Sequence, residues 1–384
     1  MGPGGRCRRR SPSNRSEVTA DFRGAAAGTN FVRELSACFE RAVARQPARQ
    51  LDLRLGSSTA RLIFARESLA QTLGGAFAHL GVRARGNLPA DEMRGSRRAD
   101  ALTVRLWDSA STGVQPPAPP WPSLDFLARG EVSHEFGEGV RLSFRIDSGV
   151  LSVFTAATNT AFCWVRDPAQ LPPWEAAAPL RPILAWWAEN TGRQLAHAAA
   201  VGTPGGAVLL GARGGSGKST TALACLEAGL LYVGDDYVML EAGDPPVVNS
   251  LYSTAKLAPS NLDERFPRLR ALATGHPDIE QDKVTLSLYE AFRDTVVPSL
   301  PLRAIVIPAI SRSGEVALRA ATAASALTAL APTTLFQLPS AGAGALARLG
   351  QIVSAVPRYH LELGRDLAAN VRAIRELITA PGVA

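Results

Sequence analysis

The chain has 384 residues, 46% of them hydrophobic and 20% charged, which is apolar material for one large core or two ordinary ones and excludes an intrinsically disordered protein. The formal net charge is +7, but Arg6, Arg8, Arg9, Arg10 and Arg15 fall within MGPGGRCRRRSPSNR, where no acid offsets them. What remains is a nearly neutral body, which argues against nucleic acid as the partner.

No run reaches the roughly 18 to 20 apolar residues of a membrane span. The basic start leads into SPSNRSEVTADF rather than an apolar signal core, so no membrane partner is expected. Cys7, Cys38, Cys163 and Cys225 are scattered without a CxxC or a histidine pairing, which points to a cytoplasmic protein with ordinary thiols. Of the 41 basic residues only Lys218, Lys256 and Lys283 are lysine. Against such an arginine bias, a retained lysine is a candidate for a place where a compact ammonium is needed.

In chain order, residues 1–25 are rich in Gly, Arg, Ser and Pro and are expected to form a disordered basic tail. Phe31, Leu35, Phe39 and Val43 recur at helical spacing, as do Leu69, Leu73, Phe77 and Leu80. Residues 102–107, 141–146, 150–154 and 161–165 read as strands between Gly and Asp turns. The Pro-rich stretch from Val114 to Ser123 reads as a loop or stiff connector. A second Pro-rich stretch closes a smaller α+β N-terminal domain, 26–178, read by exclusion as a substrate- or partner-recognition domain. Strand and helix alternate through the remainder, 179–384, an α/β domain with a mixed sheet and covering helices. The tryptophans, Trp107, Trp121, Trp164, Trp174, Trp186 and Trp187, are expected as core or loop anchors, and His79, His134, His276 and His360 have no metal-ligand spacing.

The stretch that carries chemistry is HAAAVGTPGGAVLLGARGGSGKSTTALACLEAGLLYVGDDYVML, residues 197–240. Ala207–Leu210 reads as a strand, Gly211–Gly217 as a glycine turn and Lys218–Glu227 as a helix stopped at Gly229. That context is the one a phosphate-binding loop requires. Gly214, Gly215, Ser216, Gly217, Lys218, Ser219 and Thr220 are the candidate nucleotide contacts. Their amides and the helix start would face phosphates, Lys218 would reach the β and γ groups of ATP, and Ser219 would offer a hydroxyl to Mg²⁺. Ala212 stands at the first glycine position of the pattern and Gly211 one residue early, which predicts a distorted first turn. The following strand, expected beside the loop strand, ends in Asp235 and Asp236. One carboxylate would serve Mg²⁺ and the other would take a proton from an attacking hydroxyl. His197, which opens the strand before the loop and is expected on a strand neighbouring the loop strand, is a candidate to hold an aspartate ionised. Lys256 and Lys283 are candidate contacts to phosphate or acceptor, against the alternative of surface ion pairs, for Lys283 with the acidic DIEQD before it.

HAAAV, GGSGKST and VGDDY at this spacing resemble the catalytic domain of bacterial HPr kinase/phosphorylase, a P-loop serine kinase fold related to phosphoenolpyruvate carboxykinase. The resemblance covers roughly residues 190–310. It implies an α/β P-loop kinase domain in which Asp235 is the base, Asp236 supports the metal with Ser219, and His197 tunes the pair. LRPILAWW, SLYSTAKL, PLRAIVIP and APTTLFQLP are similar to HPr-kinase-like proteins of peptide natural-product clusters, including kinases that phosphorylate a serine of lasso-peptide precursors. The expected activity is thus transfer of the γ-phosphoryl group of ATP to a serine hydroxyl of a peptide or protein, and a homo-oligomer is expected by the same resemblance. The N-terminal region does not resemble the family's regulatory domain, so HPr itself is not the expected substrate. Two other readings stay open: a kinase of a small hydroxylated metabolite, and an ATP-sensing binding module or pseudokinase.

Overall fold

A computed structural model of the chain describes residues 25–85, 100–118, 131–136, 139–278, 283–335 and 343–379. The expected tail, Cys7, Trp121, the end of the Pro-rich connector, most of DIEQD and the end of APTTLFQLP lie outside the described residues.

The chain opens with helix α1 (Ala25–Val43), then β1 (Arg49–Leu55), β2 (Ser58–Phe64), α2 (Glu67–Gly74), a 3₁₀ turn and β3 (Gly81–Arg85). There follow β4 (Leu102–Asp108), a single helical turn α3 (Ser109–Thr112), β5 (Glu131–Phe136), β6 (Val140–Arg145), β7 (Val150–Thr155) and β8 (Thr160–Val165). These strands make one eight-stranded sheet in the order β3-β1-β2-β4-β8-β7-β6-β5. It is mixed, since β2, β4 and β8 run parallel and the other pairs antiparallel. Strand periodicity splits its two faces. Trp107 on β4 and Phe162 and Trp164 on β8 turn toward Phe31, Leu35 and Phe39 of α1. Val104, Leu106, Ala161 and Cys163 turn the other way, into a second core.

That second core crosses the expected boundary at 178/179. It contains Leu184, Trp186 and Trp187 of α5 (Arg181–Asn190), which follows a short helix α4 (Pro173–Ala177), together with the α2 residues Leu69 and Leu73. The helix face read from Ile183, Trp186 and Trp187 is fully buried there.

The remaining strands are β9 (Gln194–Ala196), β10 (Ala199–Thr203), β11 (Gly206–Leu210), β12 (Leu231–Gly234) after helix α6 (Lys218–Glu227), β13 (Val238–Glu241), β14 (Val247–Ser250) and β15 (Thr254–Leu257). After α7 (Pro259–Arg265) come β16 (Ala273–Asp278), β17 (Lys283–Ser287), the long β18 (Ser299–Ile310), β19 (Ala317–Ala320), α8 (Ala323–Leu335), α9 (Ala343–Ala355), β20 (Arg358–Leu363) and α10 (Leu367–Thr379). A nine-stranded mixed sheet runs β12-β10-β11-β18-β14-β13-β9, and β20 and β19 extend it from the far end of β18. Its strands alternate between two helix layers. Val208 and Leu210 face α6 and α10, whereas Ala207 and Leu209 face α8 and α9. β11 is buried along its whole length, as a central strand covered on both faces must be.

One expectation is corrected here. β12 does not lie beside the loop strand β11, because β10 forms a tight antiparallel hairpin with β11 and β12 pairs with the outer edge of β10. The strands at 49–64 and 81–85 were also not expected from the sequence. Among the described residues no helix is long and apolar enough to cross a membrane. A small three-stranded sheet, β15-β17-β16, carries Lys256 and Lys283.

Candidate functional site

β11 ends at Leu210, residues 211–217 turn through irregular backbone, and α6 starts at Lys218. Two glycines are required by geometry at the end of this turn. Gly215 has φ +78° and Gly217 φ +92°, and a Cβ on Gly217 would stand 2.5 Å from Leu363 Cδ1. Gly211 answers to packing, for its Cβ would meet Leu330 Cδ2 of α8 at 2.2 Å. The neighbouring Ala212 is buried, and its carbonyl accepts a hydrogen bond from Lys218 Nζ at 2.6 Å, with that of Arg213 at 3.1 Å. Lys218 thus spans its own loop from within. Burial lowers its ammonium below the ordinary lysine value, and Lys283 pushes the same way against Asp235 and Asp236.

The two carboxylates at the end of β12 are held differently. Asp235 is 2% exposed; its Oδ1 accepts from Ser219 Oγ at 3.1 Å and its Oδ2 from the Lys256 backbone N–H at 3.4 Å. Burial, with the negative charge of Asp236, raises its carboxyl above the usual range. Asp236 has φ +71°, left-handed backbone that few non-glycine residues adopt. Its Oδ1 lies 3.0 Å from His197 Nε2 and its Oδ2 accepts from Lys256 Nζ at 2.9 Å. Burial alone would raise this carboxyl, but Lys256 and the His197 hydrogen bond prevail and hold it well below the usual range.

His197 sits in the two-residue break between β9 and β10. Its backbone N–H donates to Thr334 Oγ1 at 3.2 Å, and its ring lies 5.4 Å from that of Tyr237. Arg181 of α5 also stands over the Tyr237 ring, its guanidinium carbon 5.4 Å from the ring centroid. Arg181, Tyr237 and Thr334 were not singled out in the sequence; only the adjacency of Tyr237 to the aspartates was a signal.

The end of the glycine loop, both aspartates, His197 and Lys256 open onto one pocket of about 270 Å³. The candidates Gly214 to Thr220 line it, as do His197, Asp235, Asp236, Lys256 and Lys283, so the chain's three lysines meet in one place. The described geometry departs from the expected metal pairing: Ser219 bonds Asp235, while both oxygens of Asp236 are taken by His197 and Lys256. A hydroxyl beside a carboxylate fits Mg²⁺, which accepts few protein oxygens and completes its shell with water and phosphate. Asp278 stands opposite Lys283 in the β16–β17 register. Asn261 and Arg265 of α7 also line the pocket and carried no sequence signal. His79 lies outside this pocket, 2.6 Å from Ser250 Oγ, and burial lowers its ring to about 3.

No protein-family model and no curated protein matches the chain. Among solved structures it is similar to the Hpr(Ser) kinase/phosphatase from Coxiella burnetii, with 13% identity over 46% of this chain and 89% of that one, at a TM-score of 0.26.

Proposed function

We propose that the chain is an ATP-dependent, HPr-kinase-like serine kinase that transfers the γ-phosphoryl group to a serine hydroxyl of a peptide or protein. The observation that carries this reading is the clustering, in one pocket, of a glycine loop with its lysine, a hydroxyl–carboxylate pair and a second carboxylate gripped by a histidine and a lysine. A binding module needs the loop, whereas a hydroxyl–carboxylate pair and a second gripped carboxylate beside it are the groups that phosphoryl transfer would use.

In this reading the loop amides, the start of α6 and Lys218 hold the triphosphate. Ser219 and Asp235 would hold Mg²⁺, which would supply neutralisation of the charge on the transferring phosphoryl group. Asp236 faces the acceptor hydroxyl, oriented by His197 and Lys256. The bond between the γ phosphorus and the β–γ bridging oxygen breaks, a bond from that phosphorus to the serine oxygen forms, and the hydroxyl proton passes to Asp236. ADP and a phosphoserine are the products. The low basicity of Asp236 is compatible with this role, because a loose phosphoryl-transfer transition state releases the hydroxyl proton late. The roles of the two aspartates are thereby exchanged relative to the expectation from the sequence.

The test is a phosphate-transfer assay with purified protein, ATP and Mg²⁺ on the peptide encoded by a neighbouring gene, alongside free serine and sugars. Phosphorylation of the peptide, lost by about a thousandfold or more in Lys218→Ala and in Asp236→Asn, is expected. Turnover confined to the small hydroxylated molecules would overturn the peptide assignment. ATP binding with no turnover on any acceptor would make the chain a nucleotide sensor.

A further inference from the structure

The pocket is a trough laid across the edge of the sheet, and its two ends differ in chemistry. β11 delivers the loop at the middle. On one side of β11, beyond β10, β12 ends in the carboxylates; on the other side, β18 ends at Ile310 and β20 at Leu363, with Leu367 opening α10. Ile310, Leu363 and Leu367 line the same pocket as the phosphate loop, and Leu363 packs directly under Gly217. Ile310 is 69% exposed, one of three large apolar side chains so placed among the described residues. Asn370, which also lines the pocket, is already committed: its Nδ2 donates to Gly364 O at 3.0 Å and its Oδ1 accepts from Gly364 N at 2.8 Å.

From this arrangement we infer that Ile310, Leu363 and Leu367 form the shelf on which the nucleotide's purine base lies. The inference rests on the kinase reading, which fixes direction: if the γ phosphorus must reach Asp236, the α phosphate and nucleoside extend from the loop toward β18 and β20. An aliphatic surface continuous with a phosphate cradle suits a flat aromatic ring. A second hollow, on the α8 face of the loop beside Ser216, Pro308 and His360, is the competing position.

The test compares two ligands, ATP and inorganic tripolyphosphate, by calorimetric titration with Mg²⁺ present. Wild type is expected to bind ATP more tightly than tripolyphosphate. Ile310→Asn is expected to raise the Kd for ATP by about tenfold with that for tripolyphosphate unchanged, and Ile310→Phe to restore ATP affinity. Because Ile310 is exposed, its variants should melt with wild type. Equal affinity of wild type for the two ligands, an Ile310→Asn effect on both alike, or no effect on either would overturn the shelf while leaving the phosphate site standing. Loss of ATP affinity in His360→Ala instead would move the base to the α8 face. Failure of wild type to bind either ligand would remove the kinase reading and the shelf with it.

Discussion

Asp235 and Asp236 are neighbours in the chain with opposite dependence on pH. The carboxyl of Asp235 is raised on folding, so the native state loses stability as pH climbs from the unfolded value through the folded one. The carboxyl of Asp236 is depressed, so its contribution is present above the unfolded value and lost as pH falls through the folded one. At pH 7, Asp235→Asn is therefore expected to raise the melting temperature and Asp236→Asn to lower it, the latter also leaving buried Lys256 without its carboxylate. The Asp235→Asn difference should shrink as pH falls toward the ordinary carboxylate value of 3.8 and the Asp236→Asn difference only below it, which thermal melts carried from neutral pH to well below 3.8 would follow. Activity should divide differently. Asp235→Asn is expected to raise the Mg²⁺ concentration needed for half-maximal rate, whereas Asp236→Asn lowers kcat with the Mg²⁺ requirement unchanged, as a metal titration of initial rates would show.

At the scale of elements, the loop is fixed from behind by α8. Gly211→Ala is expected to cost about 1 to 3 kcal/mol through its clash with buried Leu330. Leu330→Ala, destabilising alone, should partly rescue it in the double variant, a coupling that denaturant titration of the four proteins would measure. This contact explains why the glycine stands at 211 and not 212: packing of a helix set the position, and a loop pattern read along one dimension has no access to it. Other parts of the site were legible. GGSGKST and Gly229 mark where α6 begins and ends, and scarcity alone nominated Lys256 and Lys283, both of which line the pocket. Illegible was the partner of each aspartate, because the left-handed turn at Asp236 decides which carboxylate faces Ser219. β1 carries a strand signal in its own residues, Leu51, Leu53 and Leu55 alternating with Asp52 and Arg54, and Leu53 and Leu55 are buried by the sheet and α2.

Over the whole molecule, one apolar core joins what the sequence divides at residue 178. Trp186, Trp187 and Tyr252 pack with Leu62, Leu106 and Phe154 of the eight-stranded sheet, and Trp187 Nε1 donates to Asp100 O at 2.9 Å. Arg193, 6% exposed, donates to Ser57 Oγ in the β1–β2 turn at 2.7 Å and reaches Glu241 of β13. The full chain is therefore expected to unfold in one cooperative transition, and calorimetry showing two separated transitions would contradict this. A fragment of residues 179–384 would bare the face of α5, and it is expected to bind a hydrophobic dye and to aggregate where the full chain does neither.

The backbone at Asp236 narrows what substitution can achieve there. In left-handed geometry, asparagine, glycine and aspartate are tolerated, while alanine or glutamate adds a conformational penalty to any chemical loss. Asp236→Asn is thus the clean probe of the carboxylate, and Asp236→Glu, superficially the milder change, confounds two effects. For the chain as a heritable object, that leaves single-nucleotide paths from Asp236 to Asn or Gly, the two residues its backbone tolerates, both of which remove the carboxylate that the proposed transfer needs.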